Sequence, residues 1–578
     1  MPRLLKDDLS IVLAGEAGQG IQSIEAMLTA FAKKASYHVF ATKEYMSRVR
    51  GGCNSTELRI SCGRVSARLE RIDILVPLIP EAIPHLGGRV TRDTLVLGDP
   101  SVVAREGMLA LPLTALATEA GSPIYSNTVA VGAICALLGI DPASCEAGMA
   151  AFFPGKAPEV VEGNRTAFRL GHRRGLELAK DIVIEVCRDD SVLDDIMLTG
   201  AEAISLGALS GGCDFVCAYP MSPGTSVLQA MAAHSRDFDI LVEQVEDEIG
   251  VANMALGAWY AGARALVTTS GGGFALMSEA VSLSGGIETP MVVHIAQRPG
   301  PATGLPTRTE QGDLDLAIHA GHGDFLRIVL APGDLDEGYE LAREAFSLAD
   351  HWQSPVFILT DQYFVDSYYT TRPFAAPAAI PRPATVETGA GYRRYALGSP
   401  DGLSPRGLPG KGRGLVRVDS DEHDEEGHIT EDAGMRKAMV EKRLAKLAAA
   451  RRAALPPRLY GEAGHRVLVL AWGSTKQPIL EALARLGRKD LALLHFPQVW
   501  PLPEEARAFL ERADRVIAVE GNATGQFADI VEQATGRRMD ARVLKYDGFQ
   551  FSVEELMERL AAAAGPAVSG AARAKGGA

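Results

Sequence analysis

Between Glu243 and Asp313 the chain reads EQVEDEIGVANMALGAWYAGARALVTTSGGGFALMSEAVSLSGGIETPMVVHIAQRPGPATGLPTRTEQGD. Four carboxylates (Glu243, Glu246, Asp247, Glu248) lead into a small-residue helix, VANMALGAWYAGA. The strand ALVTT follows, then the turn Gly271-Gly272-Gly273, a second helix over FALMSEAVSLSG and the strand MVVHIA. Strands alternating with helices of this length make parallel βαβ units, so the fold class is α/β. Such sheets take their ligands at the turns that follow the strands.

Working outward, 578 residues are too many for one core and imply three or four domains. A content of 47% hydrophobic and 22% charged residues is that of a soluble globular protein. The net charge of −14 argues against a general binder of nucleic acid or anionic membranes. The start, MPRLLKDDLSIVLAG, is interrupted too soon for a signal peptide. No run approaches the roughly 20 apolar residues of a membrane span. A cytoplasmic protein is expected. Its seven cysteines, Cys53, Cys62, Cys135, Cys145, Cys187, Cys213 and Cys217, are odd in number and scattered, without a Cys-x-x-Cys. They read as reduced thiols, with neither a disulfide framework nor an iron–sulfur cluster in this chain. No metal site is expected: His423 and His428 stand among acids on what reads as a solvated surface.

Four segments are expected. Residues 8–190 form a first open α/β domain, in which GEAGQGI has its glycines in the order G-x-x-G-x-G. That is not the dinucleotide order, and tight strand-to-helix packing explains it as well. Arg48 and Arg50, beside Gly51-Gly52, suit an anionic ligand, or else a solvated turn or a subunit ion pair. Residues 197–370 hold the organising stretch. Within them AYPMSPGTSVLQAM reads strand, turn, helix, with Ser222 and Thr225 near the helix start, as donors to a carboxylate or as simple caps. Arg298 ends a strand just before Pro299-Gly300-Pro301, placed to grip a carboxylate or to pair with a structural acid. Residues 371–455 read as a linker or arm followed by a charged helix. Residues 456–565 form a last α/β domain; its GNATGQF lacks a P-loop lysine, and subunit packing is the expected role.

TSGGGFALMSEA, QRPGPATGLPT, EDEIGVAN and AYPMSPGTSVLQAM together resemble the pyrimidine-binding domain of the 2-oxoacid:ferredoxin oxidoreductases. GEAGQGI with KEYMSRVRGGCNSTELRIS resembles that family's gamma domain, here fused N-terminally to an alpha subunit. The last domain resembles its transketolase C-terminal-type domain. The resemblance implies thiamine diphosphate, with Glu248 on the aminopyrimidine and Pro220, Gly272 and Gly273 lining the cofactor. It implies Ser222, Arg298, Thr303, Thr307 and Thr309 around the 2-oxoacid, and coenzyme A at Arg48 and Arg50. Met221-Ser222 stands where the family has isoleucine and threonine, which alters the pocket.

No Gly-Asp-Gly occurs, so the diphosphate site with its Mg²⁺, and a 4Fe–4S cluster, are expected on a separate beta subunit. An (αβ)₂ assembly with ferredoxin as electron acceptor is what the family implies. The gamma-then-alpha order and the connector EHDEEGHITED resemble the 2-oxoglutarate enzymes most; pyruvate, branched-chain and aryl 2-oxoacids stay open. Two other readings stand beside this one. A decayed, non-redox assembly subunit would account for Met221-Ser222, and an NAD-dependent dehydrogenase would rest on the first glycine turn alone.

Overall fold

Strand Met291–Gln297 is buried at every residue, because parallel strands flank it and helices cover its faces. The computed structural model describes residues 3–16, 19–45, 52–380 and 385–567. In it the chain divides into two units, Met1–Thr199 with Asp366–Pro373, and Gly200–Val365 with Phe374–Ala578.

The second unit carries Met291–Gln297 at the centre of a seven-stranded sheet. The order is Leu241–Gln244, Phe215–Ala218, Ala265–Thr269, Met291–Gln297, Pro355–Asp361, Ile328–Leu330 and Gln498–Trp500. All pairings are parallel except the last, whose strand comes from far down the chain. His294 joins three of these strands, its ring nitrogens 3.0 Å from Thr268 Oγ1 and 2.8 Å from Thr360 Oγ1. Burial drops its pKa to about 3, so it is a neutral tie. A five-stranded sheet, Arg458–Tyr460, Leu491–Phe496, Val467–Trp472, Arg515–Glu520 and Ala541–Leu544, completes the unit.

Residues beyond 385 in the expected arm lie against this unit: Tyr395 is fully buried and Arg406 pairs with Asp350 at 2.7 Å. Helix Ala433–Arg452 reaches in with two lysines, and the Glu288 carboxylate takes Lys442 Nζ at 2.6 Å and also Lys446 Nζ. The surface reading of His423 is corrected: it is 1% exposed and its ring lies on Tyr395, while Glu422 beside it binds Arg436 and Arg443.

The first unit is built on a mixed eight-stranded sheet. Its order is Leu109–Ala110, Leu95–Gly98, Ile74–Pro77, Asp8–Glu16, Cys53–Ser61, His38–Glu44, Tyr368–Thr371 and Ile196–Thr199. Tyr368–Thr371 arrives from beyond the second unit's sheet and fills the gap between His38–Glu44 and Ile196–Thr199, antiparallel to both. Helices Ser126–Leu137 and Pro158–Leu178 pack closely at glycines; a Cβ on Gly175 would sit 2.5 Å from the Ala133 carbonyl oxygen. One cysteine expectation is overturned here. Cys62 and Cys187 form a disulfide across 125 residues of sequence, because the fold brings their Cα atoms within 5.0 Å. The other five cysteines are free and buried. Among the described residues no helix is long and apolar enough to cross a membrane.

Candidate active site

Of the four carboxylates that open the organising stretch, only Glu248 is buried, at 3% exposure. Its neighbour explains why it is available. Asp247 is the N-cap of helix Glu248–Ala261 and accepts the Gly250 amide at 2.7 Å, so the helix start is served without Glu248. Glu248 Oε1 is buried and has no hydrogen-bond partner among the described residues. It lies against Gly273, where a Cβ would come 2.6 Å from Oε1 and collide with Thr269 Oγ1. Glycine at 273 is the condition for that carboxylate to be there.

The other candidates sit at neighbouring strand ends. Pro220 and Ser222 follow strand Phe215–Ala218; Gly272 and Gly273 follow Ala265–Thr269; Arg298 follows Met291–Gln297. Pro220 and Gly272 are exposed, and Ser222, joined to Pro223 by a cis peptide, is half-buried. Arg298 Nη1 donates to the Ser222 carbonyl at 2.6 Å, and that bond fixes the guanidinium beside the turn. Its Nε is buried without a partner among the described residues. Burial lowers the Arg298 pKa, against the opposing pull of Asp313.

The three threonines of the following loop part company. Thr303 is exposed and Thr307 half-buried. Thr309 is withdrawn: it is 8% exposed, its hydroxyl accepts the Tyr363 amide at 3.2 Å, and it also bonds the buried Asp361. Its hydroxyl is thus engaged by the scaffold, whereas the resemblance placed it around the 2-oxoacid. The loop's far end is held by the last domain. Gln311 Nε2 donates to the Trp472 carbonyl at 2.9 Å and its Oε1 accepts the Gly521 amide at 2.7 Å. Asn522 Nδ2 donates to the Gln311 carbonyl at 3.1 Å, and Gln526 Nε2 to that of Gly312 at 2.9 Å. Within the chain, GNATGQF clasps the site loop.

Asp313 was passed over in the sequence. It occupies the N-cap position of helix Leu314–His319, yet its side chain makes no capping bond. The carboxyl instead lies over Gly271, where a Cβ would strike it, and Oδ2 is buried with no partner among the described residues. Burial, helped by Glu310 and opposed by Arg298, raises its pKa to about 7. Two carboxyls, Glu248 and Asp313, thus rest on glycines two apart in one turn. The signal in the sequence was a second glycine, Gly271, in a turn where Gly273 already left room for a carboxylate. Arg48 and Arg50 lie outside the described residues.

The chain is similar to known proteins over nearly its whole length. Residues 206–442 match the family model described as pyruvate flavodoxin/ferredoxin oxidoreductase, thiamine diP-bdg, and residues 10–174 match pyruvate ferredoxin/flavodoxin oxidoreductase. The 2-oxoacid:ferredoxin oxidoreductase subunit alpha of Sulfolobus sp. is 30% identical, over 96% of this chain and 96% of its own. The chain belongs to the 2-oxoacid:ferredoxin oxidoreductase alpha subunits. A second relative of this alpha-subunit family, 2-oxoglutarate synthase subunit KorA of Archaeoglobus fulgidus, is 30% identical over 63% of this chain and 97% of its own. The 2-oxoglutarate:ferredoxin oxidoreductase of Magnetococcus marinus, solved with 2-oxoglutarate, coenzyme A and succinyl-CoA bound, superposes with a TM-score of 0.88 at 30% identity. The match covers 97% of this alpha subunit and 100% of that chain. The thiamine diphosphate-binding model spans Glu248 and its glycine turn. The residues fit such a cofactor: a buried, unpartnered carboxylate oxygen faces a turn that side chains leave open.

Proposed function

We propose that this alpha subunit activates thiamine diphosphate and orients substrate in an enzyme that converts a 2-oxoacid, coenzyme A and oxidised ferredoxin to acyl-CoA, carbon dioxide and reduced ferredoxin. The substrate is 2-oxoglutarate, the 2-oxoacid bound in the Magnetococcus marinus protein. The observation that carries the reading is Glu248, a buried carboxylate with Oε1 unspent beside Gly273. Thiamine diphosphate, when bound, supplies the carbon nucleophile and the electron sink for decarboxylation.

The chain's own residues do the rest of what falls to this subunit. Glu248 Oε1, buried and unspent, would hydrogen-bond the aminopyrimidine ring nitrogen and hold that ring in place. Arg298 offers its unpartnered Nε to the substrate carboxylate, and the Ser222 carbonyl keeps the guanidinium from swinging away. Ser222, Thr303 and Thr307 border that space, and Gly272 with Pro220 borders the cofactor. This is preorganisation of reactants more than bond-making. A beta subunit brings the diphosphate site, Mg²⁺ and a 4Fe–4S cluster in an (αβ)₂ cytoplasmic assembly, and coenzyme A meets Arg48 and Arg50.

The test is viologen reduction by the co-expressed alpha–beta complex, dependent on coenzyme A, with 2-oxoglutarate, pyruvate and 2-oxoisovalerate compared. Reduction with 2-oxoglutarate is expected, and Glu248→Gln is expected to lower turnover by about 10²–10⁴-fold. A Gln variant with undiminished turnover would leave the chain as an assembly subunit.

A further inference from the structure

Asp313 presents the features of a group built for a ligand. It stands at a helix N-cap position and does not cap. Its carboxyl is folded over Gly271 instead, in space that a Cβ there would fill. Among the described residues Arg298 makes no ion pair with it, and the guanidinium's one hydrogen bond goes to the Ser222 carbonyl. Asp313 Oδ2 and Arg298 Nε are both buried and both unpartnered among the described residues. The carboxyl and the guanidinium feel each other's charge, yet each keeps a buried polar atom unspent, and such atoms call for a ligand.

We propose that Asp313 holds a proton and donates it, in a hydrogen bond, to the same substrate carboxylate that Arg298 engages, making it a specificity-determining residue for anionic 2-oxoacids. Charge decides between the two protonation states. An ionised Asp313 beside an ionised substrate would leave two negative charges against one arginine in a partly dry site, whereas a protonated one leaves a balanced pair and adds a donor. The groups that face Asp313 agree. Glu310, on its own loop, disfavours its ionisation, Arg298 favours it, and burial outweighs both, which leaves the group titrating at about 7. Glu248, on the far side of the glycine turn, adds no positive charge. Asp315 and His319 are on the following helix, where His319 bonds the Asp315 carbonyl.

The inference rests on the proposed 2-oxoacid reaction, and two measurements keep the fates of the two apart. In the alpha–beta complex, the wild-type KM for 2-oxoglutarate is expected to rise about tenfold per pH unit above pH 7, with kcat little changed. Asp313→Asn keeps a donor and cannot ionise, so its KM should be flat across the same range and match wild type at pH 6. Asp313→Ala should raise KM at every pH. An Asn variant whose KM climbs in parallel with wild type, or one that loses kcat at unchanged KM, overturns the proposal. Infrared difference spectra of wild type minus Asp313→Asn, taken without substrate, are the second readout. A protonated-carboxyl band is expected at pH 6 that fades toward pH 8. Its absence at pH 6 overturns the proposal even where no 2-oxoacid is turned over, and lack of turnover with the band present overturns only the reaction.

Discussion

Gly273 sets the room in which Glu248 sits. A methyl group there would lie 2.6 Å from Glu248 Oε1 and overlap Thr269 Oγ1, both buried, so one of the two side chains must move. Overpacking of this kind costs about 1–3 kcal/mol, a modest loss for a large chain. Gly273→Ala is therefore expected to reduce viologen turnover by at least about tenfold while the complex still assembles, because displacement at the site costs more in rate than in stability. Size-exclusion profiles alongside the rate assay check this; unchanged turnover would mean that Glu248 tolerates displacement. Arg298 was readable in the sequence because it directly follows a strand, and Glu248 because the motif around it resembles a known family; both are local relations. Asp313 was not, since its place depends on fifteen residues of loop returning from Arg298 to cover Gly271.

Two elements steady the site from a distance. Asn522, Gly521 and Gln526 hold the Gln311–Gly312 segment, and Asn522→Ala removes the donor to the Gln311 carbonyl together with Asn522's own bonds to Glu520 and the Gly525 amide. Each such bond is worth about 0.5–1.5 kcal/mol, and the one to the Gln311 carbonyl is the one that reaches the site loop. A rise in KM of a few-fold, larger than any fall in kcat, is expected from steady-state kinetics. Helix Ala433–Arg452 is anchored by Glu288, whose main chain has the left-handed φ of 48° and whose carbonyl takes Arg394 Nη2. Burial alone would raise the Glu288 carboxyl; Lys446, Lys442 and Arg394 reverse that and hold it well below the ordinary carboxylate range. A carboxyl held low in the folded state stabilises the fold above its unfolded value of about 4.5, and that stability drains away as pH falls below it. Glu288→Gln strands two buried ammonium groups and is expected to cost about 3–5 kcal/mol at pH 7, with a shallower acid limb in thermal melts. The helix was legible from its charged pattern. Its two buried lysines were not, because nothing near them in sequence supplies the matching carboxylate.

At the scale of the molecule, the first unit owns a strand that it does not encode next to its others. Tyr368–Thr371 lies between His38–Glu44 and Ile196–Thr199, and without it two sheet edges face a gap. A fragment ending at Thr199 is expected to aggregate or to melt well below one in which residues 366–373 are joined back by a flexible linker. Equal melting temperatures would show that the strand adds nothing. Alternating strands and helices made the α/β class readable throughout, since that pattern is written in neighbouring residues. The returning strand and the Cys62–Cys187 bond were not, because each joins positions more than a hundred residues apart. The borrowed strand also bears on how the polypeptide emerges from the ribosome. The 172 residues from Thr199 to Thr371 take roughly 10–35 s to synthesise at about 5–20 residues per second. Through that interval the nascent first sheet waits with its slot open, and the enzyme's order of assembly is set by translation before any partner subunit arrives.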